Sequence, residues 1–413
     1  MTGTRTRDSY LFLLALRWFP VGLWIPIVVL LPLDRGLTLA EAGMAAALQG
    51  FVVLALELPT GGLSDSWGRR PVLLLSAAVG IASTAVLALA DTFALFAVVY
   101  LLQGVHRALD SGPLEAWYVD ATLAADPDAK LERGLSAGGT VVGVAIGAGA
   151  LVTGGIVAWV ELPGVPVLVQ PVLLGLVVQL TGLVALALMV RDVPHRTGER
   201  SLRASIRAVP RVIAQGTGIV RRSRVLLCLL GVELCWGFGM VAFETLMPVR
   251  LSELVGGPAR AAELTGPVSA AAWFVSALGA AAIPLLTARL GVGRAAALMR
   301  VLHGGTVVVM GLVAGPVGVI AAHLACYAVH GASNPAHMTL LHREVTGEHR
   351  STVMSMNSMV AQPAGSLGMI VLTLLASGVS TGFAIAAGGV VLALAAPLYL
   401  PAVRAERRRP APV

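Results

Sequence analysis

Four apolar stretches of this chain carry charged or titratable side chains where the run of hydrophobic residues would otherwise be unbroken. Arg17 lies in the stretch 10–32, Arg107 and Asp110 in 93–116, Glu233 and Glu244 in 225–248, and His323, His330 and His337 in 317–340. Arg107 and Asp110 are three residues apart, so on a helix they share a face and can pair with each other or with a ligand. Glu233, Gly237, Met240 and Glu244 follow an i, i+4, i+7, i+11 spacing, which turns both glutamates the same way. The three histidines recur every seven residues along one face. Neighbours on that stripe lie roughly 10 Å apart, too far to share one metal ion with bonds near 2 Å. Ion pairing, proton exchange and recognition of a charged solute are the chemistries these groups offer. Plain hydrogen bonding to neighbouring helices accounts for the histidine stripe equally well, and Glu244 fits either a cavity wall or the headgroup level.

The elements that must hold these groups follow from composition. Of 413 residues, 57% are hydrophobic and 12% charged, and the mean hydropathy is +0.84. Soluble domains carry about 45–50% apolar and about 25% charged residues. A membrane span takes about 20 mostly apolar residues. Twelve such runs fit: 10–32, 38–60, 71–90, 93–116, 134–158 and 167–190 in the first half, then 225–248, 263–288, 295–314, 317–340, 351–376 and 380–402. No sizeable soluble domain fits in what remains. The deep charges fall on runs one, four, seven and ten, the first members of successive three-helix groups. Two halves built from inverted three-helix repeats place such equivalent helices around a midplane cavity. Glu57 and Glu115 fall near run ends, and Arg300 and His303 fall in run nine.

The net charge of +7 reads as topology. With both termini cytoplasmic, nine arginines between Arg191 and Arg224 fall inside, together with Arg69, Arg70, Arg343 and the basic tail, and only Arg35, Arg250 and Arg260 fall outside. Aromatics make up 5% and do not interleave with the arginines, so nucleic acid is no partner. Cys228, Cys235 and Cys326 lie in apolar runs, which supports neither disulfides nor zinc. The first run is too long and too charged for a cleaved signal. The chain divides into an N-terminal lobe 1–190, an Arg-rich linker 191–224 and a C-terminal lobe 225–413. Residues 201–219 of the linker fit an amphipathic helix on anionic lipid or a solvated connector.

Between runs two and three the chain reads Glu57-Leu-Pro-Thr-Gly-Gly-Leu-Ser-Asp-Ser-Trp-Gly-Arg-Arg-Pro71. Gly68 permits a tight reversal, and Asp65 is a fixed anion suited to the positive end of a helix. At Gly62, Leu63, Asp65, Gly68, Arg69 and Arg70 this segment resembles the loop signature G-x-L-a-D-r-x-G-r-r/k of the major facilitator superfamily. The resemblance implies an all-α integral membrane protein of twelve transmembrane helices in two pseudo-symmetric six-helix lobes, working as a rocker-switch transporter. It also implies a gating lock in which Asp65 faces the start of helix eleven and Arg69 meets an acid of helix four, Glu115 or Asp120. A worn copy, Leu286-Thr-Ala-Arg-Leu-Gly-Val-Gly-Arg294, keeps glycines and arginines without the aspartate. The family's helix-four R-x-x-x-G pattern is absent, with Arg107 two turns on. The helix-five antiporter signature is matched in glycines at Gly143, Gly147, Gly154 and Gly155 but lacks its proline. Ser111 to Asp120 looks like a helix-four ending of bacterial efflux members.

The expected function is a proton-coupled exporter, by alternating access, of a small apolar or amphipathic compound such as a drug or secondary metabolite, with antibiotic resistance as a consequence. Arg17, Arg107, Asp110, Glu233, Glu244 and His330 are the pathway residues, Asp110 the first choice for proton exchange and Glu233 its rival. Gly62, Asp65, Gly68, Arg69, Arg70, Glu115 and Asp120 form the gate. The alternative is an uptake symporter in which Arg17 and Arg107 hold a small anionic metabolite. A receptor or scaffold would not need buried charges of both signs. Neither GxxxxGK[ST] nor HExxH occurs, so the reading involves no ATP, no enzyme and no cofactor. Partners are the solute, protons and lipid, with the protein a monomer in the plasma membrane. In a cysteine-free background, single cysteines at Arg35 and Ser201 should label from opposite sides of the membrane. Labelling of both by an impermeant reagent from outside would sink this topology.

Overall fold

The computed structural model describes residues 3–127, 129–191, 214, 217–345 and 350–408. Most of the 191–224 linker, including the bulk of the 201–219 segment, therefore lies outside the described residues. So do the side chains of residues 61, 62 and 64–66 within the signature. The described chain is helical, with no strand among its residues. In order the helices are α1 Gly3–Trp24, α2 Leu30–Asp34, α3 Leu39–Trp67, α4 Arg69–Leu89, α5 Phe93–Asp110, α6 Pro113–Ala125, α7 Glu132–Trp159 and α8 Gln170–Met189. The second half follows with α9 Arg224–Glu244, α10 Leu246–Val255, α11 Pro258–Leu290, α12 Val292–Leu312, α13 Pro316–Glu344, α14 Arg350–Gly378, α15 Thr381–Leu394 and α16 Leu400–Arg408.

Twelve spans result among the described residues, because α1–α2, α5–α6, α9–α10 and α15–α16 are each one span broken partway. Local sequence explains the ends. Pro26 lacks an N–H and clashes with the preceding turn, so α1 stops at Trp24. Gly112 adopts φ +94° and Pro113 opens α6, which splits the span expected to run unbroken over 93–116. Thr38 and Glu41 form a reciprocal capping box at the start of α3, with Thr38 N–H donating to Glu41 Oε2 at 2.8 Å and Glu41 N–H to Thr38 Oγ1 at 3.2 Å. Ten helical stretches are apolar and long enough to cross a membrane. The other two spans are those of α1, with Arg17, and α13, with its histidines. Their polar side chains lower the hydropathy of the helices that carry the candidate chemistry.

The helices gather into two units. Unit 1 is Met1–Leu37, Leu48–Val209 and Pro258–Ala270, and unit 2 is Thr38–Ala47, Pro210–Gly257 and Ala271–Val413. Inside unit 1, α1 packs on α7 and α8 while α4 packs on α5 and α8. Inside unit 2, α9 packs on α14 and α15 while α12 packs on α13 and α15. The pairings are the same with each span shifted by six, so the two halves repeat one packing scheme. Close backbone crossings repeat as well. A methyl group on Gly22 would strike the Ile146 carbonyl and one on Gly149 the Phe19 carbonyl, where α1 meets α7. Gly237 and Gly368 stand in the same relation to Ala361 and Phe238, where α9 meets α14. Without a hydrophobic drive between helices in lipid, such close backbone approach supplies the packing energy. The glycine-rich fifth span is thus partly a packing surface: Gly149 is pinned, whereas nothing lies within 4 Å of a methyl at Gly143. Gly149→Leu should cost on the order of 3 kcal/mol by overpacking and abolish recovery of monodisperse protein. Gly143→Leu should leave yield and melting midpoint near those of the parent. Equal behaviour of the two variants in size-exclusion and thermal-melting assays would refute this crossing.

Candidate functional site

Unit 1 encloses a cavity of about 480 Å³ whose lining includes Arg17, Trp18, Trp24, Gln103, Arg107 and Asp110. Solute pockets of about 300–1,000 Å³ with mostly apolar walls and a few placed polar groups are typical of small-molecule sites. The two arginines in this wall have different duties. Arg17 Nε is ion-paired with Asp110 Oδ2, its Nη2 donates to the Asp110 carbonyl at 3.3 Å, and its guanidinium lies 5.1 Å from the centre of the Trp18 ring. Of the two partners open to Arg107 and Asp110, each other or a ligand, the mutual pair does not form. Asp110 ends α5, and the break after it frees carbonyl groups that must find donors. Arg17 from α1 takes one, and Thr60 Oγ1 from α3 takes another by donating to Ala108 O at 2.9 Å. The bond across the break outranks a same-helix pair because it satisfies backbone and side chain together.

Arg107 is left with no hydrogen bond or ion pair within 4 Å among the described residues. It feels the charge of Glu57. Glu57 Oε2 is buried and has no hydrogen-bond partner. His106, on the same wall, is fixed by Ser76: its Nδ1 lies 2.8 Å from the Ser76 carbonyl and 2.9 Å from Ser76 Oγ. The sequence pattern does not single out His106 or Glu57 for the site. Their signal is position, His106 one residue before Arg107 and Glu57 five residues before Gly62.

At the gating segment, Gly68 takes φ +94° between α3 and α4, the reversal the motif requires. Arg69 Nε donates to Asp120 Oδ2 at 3.0 Å, and Arg70 Nη2 donates to the Ala187 carbonyl at 2.8 Å. Of the two acids considered for Arg69, Asp120 is the partner. Glu115 is exposed in the first turn of α6, and five residues at 3.6 per turn place it about 140° around the helix from Asp120. The side chain of Asp65 lies outside the described residues. The worn copy in unit 2 recruits an acid from elsewhere. Glu406 of α16 accepts the N–H groups of Val292 and Gly293 at 3.0 Å each, at the start of α12, and pairs with Arg343 at 3.1 Å.

Unit 2 gathers the remaining candidates around α13. His337 Nδ1 is 2.9 Å from the Tyr399 hydroxyl, and its Nε2 is 3.6 Å from Glu233 Oε2 and 3.4 Å from Asn357 Oδ1. Tyr327 donates its hydroxyl to Glu244 Oε1 at 2.5 Å, joining α13 to the end of α9. His330 stacks on Trp236 with ring centres 5.9 Å apart and faces His303 at 5.4 Å. Arg300 and His303, 3% and 0% exposed, sit near the middle of α12 and join this cluster. The spacing of charges in the sequence leaves both outside the site.

These features together define a membrane transporter of the twelve-helix, two-half class. The chain matches the Major Facilitator Superfamily over residues 10–329 and belongs to it. Solved structures share the fold. The nucleoside transporter NupG aligns with a TM-score of 0.79 at 11% identity, over 98% of this chain and 99% of that one. A bacterial homologue of the human lysosomal transporter Spinster aligns with a TM-score of 0.73 at 14% identity, over 98% of each chain. A POT family transporter in complex with 5-aminolevulinic acid gives 0.73 at 14%, over 98% of this chain and 97% of that one. No curated protein matches the chain in sequence. Asp120→Asn should impair transport about five-fold while leaving expression intact, since a partly exposed pair contributes about 1 kcal/mol to the balance between conformations. Glu115→Gln should transport normally. The reverse ranking in a side-by-side transport assay would return the gate to Glu115.

Proposed function

We propose that the protein is a proton-coupled secondary transporter that exports a small amphipathic compound bearing an anionic group, by alternating access, from a plasma membrane with both termini cytoplasmic. The observation that carries the substrate class is Arg107. It is a guanidinium on the wall of a cavity of about 480 Å³ with no ion pair within 4 Å among the described residues, beside Trp18 and Trp24. A planar fork of donors suits a carboxylate or phosphate, and the indoles suit an apolar body. Export is favoured by the resemblance of Ser111–Asp120 and the glycine-rich fifth span to efflux members. The orientation is favoured by the arginine distribution. Asp110 is occupied by Arg17 and the end of α5, a structural duty that argues against its releasing a proton in every cycle.

The experiment is an accumulation screen of labelled aromatic carboxylates and matched uncharged aromatics in a pump-deficient host. Export predicts lowered accumulation of one or more carboxylates, abolished by an uncoupler. Arg107→Gln should lose at least ten-fold of the carboxylate transport and little of any transport of the uncharged set. Raised accumulation would reverse the direction to uptake. Equal loss of both classes in Arg107→Gln would remove the anionic group from the reading.

A further inference from the structure

The two units differ in their interior charge. Within the spans, the described residues of unit 1 include two arginines, Arg17 and Arg107, and two acids, Glu57 and Asp110, besides the Arg69–Asp120 pair. Those of unit 2 include one arginine, Arg300, and two acids, Glu233 and Glu244, besides the Arg250–Glu253 pair. Arginine stays protonated in proteins, so with both acids ionised unit 2 would hold an excess negative charge in a medium where an uncompensated charge is costly.

Geometry shows which acid is in excess. Glu233 lies in the field of Arg300 and beside Asn357. Tyr399 connects with Arg300 and, through its hydroxyl, with His337, which in turn faces Glu233. Guanidinium and carboxylate therefore sit in one polar cluster, in which Arg300 Nε and Nη1 have no hydrogen-bond partner. Glu244 is eleven residues further along α9, about 16 Å at 1.5 Å per residue. Its hydrogen-bond partner is the Tyr327 hydroxyl at 2.5 Å. From α13 the titratable groups around this pair are Cys326, His323 and His330, and from α12 His303. From α11 comes Trp273, against Tyr327, which does not titrate. On α10, Arg250 is taken by Glu253 at 3.0 Å. No fixed cation faces Glu244 among the described residues.

We propose that Glu244 and Tyr327 form a proton-binding site, in which Glu244 carries the proton that neutralises unit 2 and is the acid that exchanges it. A second observation points to the same ligand. Both nitrogens of His303 and the Nδ1 atoms of His323 and His330 are buried without a protein partner; His323 and His330 lie against Tyr327, and His303 lies against His330. Imidazole nitrogens free to accept or donate are the groups that pass a proton onward from a carboxyl, here in the direction of His337 and Glu233. The site deepens the proton-coupled reading and rests on it.

The test is infrared spectroscopy of the purified full-length protein in lipid nanodiscs at pH 7, reading the absorption of protonated carboxyl groups. The parent should show such a band. Glu244→Gln should remove it, while Glu233→Gln and Asp110→Asn keep it. Tyr327→Phe should retain the band and shift it upward in frequency, because the carboxyl loses its hydroxyl partner. A parent without the band, or a band that survives Glu244→Gln, overturns the site. Gln imitates the protonated acid, so that variant should fold; if it does not, an unshifted band in Tyr327→Phe overturns the site instead. Parent transport that ignores a pH gradient while the band behaves as expected removes the coupling and keeps the site. Lost band behaviour with gradient-driven transport intact removes the site alone.

Discussion

Hydrocarbon offers no water to a freed carbonyl or a bare charge, so every break in a spanning helix must be satisfied from within the protein. Unit 1 breaks two of its spans and meets both requirements with side chains from neighbouring helices. At the end of α1, Thr153 Oγ1 donates to the Leu23 carbonyl at 2.8 Å, and the Tyr100 hydroxyl donates to the Val28 carbonyl at 3.2 Å. At the end of α5, Thr60 and Arg17 serve Ala108 and Asp110. Each of these bonds ties a different helix to the break. The cavity wall is therefore held by the same contacts that make the breaks tolerable, and Arg17 is committed to that task. Arg107 is not, and it is the cation to which the proposal assigns the solute's anionic group.

The two halves share a packing scheme and differ in polar content. Glycines at the α1–α7 and α9–α14 crossings bring backbones together in the same way, so the scaffold is repeated by close approach rather than by identical side chains. On that common frame unit 1 places one ion pair, Arg17 with Asp110, and a second arginine in the wall of a cavity, while unit 2 places a buried cluster of histidines, tyrosines and acids. A repeated scaffold with unlike interiors allows solute recognition and proton binding to be assigned to different halves. The proposals for Arg107 and Glu244 make that division.

Much of this is legible in the chain. The twelve apolar runs, the polar load on α1, α5, α9 and α13, and the signature around Asp65 are patterns of composition and local spacing, and the spans fall where the runs are. Partners are harder to read. Arg17 and Asp110 are 93 residues apart, and no periodicity links them, whereas Arg107 and Asp110 are neighbours on a helix and have the spacing of a pair. The Ser111-Gly112-Pro113 run does announce the break, but treating the span as continuous hides the consequence that α6 starts a new helical phase. That phase turns Glu115 outward and Asp120 toward Arg69. Arg300 is visible as a charge at mid-span in run nine, yet the expectation that only every third span faces the chemistry sets it aside.

The fate of the worn signature in unit 2 shows why function of this kind is read from charge and position rather than from motif letters. The start of α12 presents unpaired N–H groups with the positive end of the helix dipole behind them. The segment before it, Leu286 to Arg294, contains no acid to answer them. Glu406, more than a hundred residues later, brings both carboxylate oxygens to Val292 and Gly293 and takes Arg343 as counter-ion. The electrostatic requirement at a helix start is met by whichever carboxylate the fold can deliver. Here that carboxylate comes from α16, which fastens the C-terminal end of the described chain to the turn between α11 and α12.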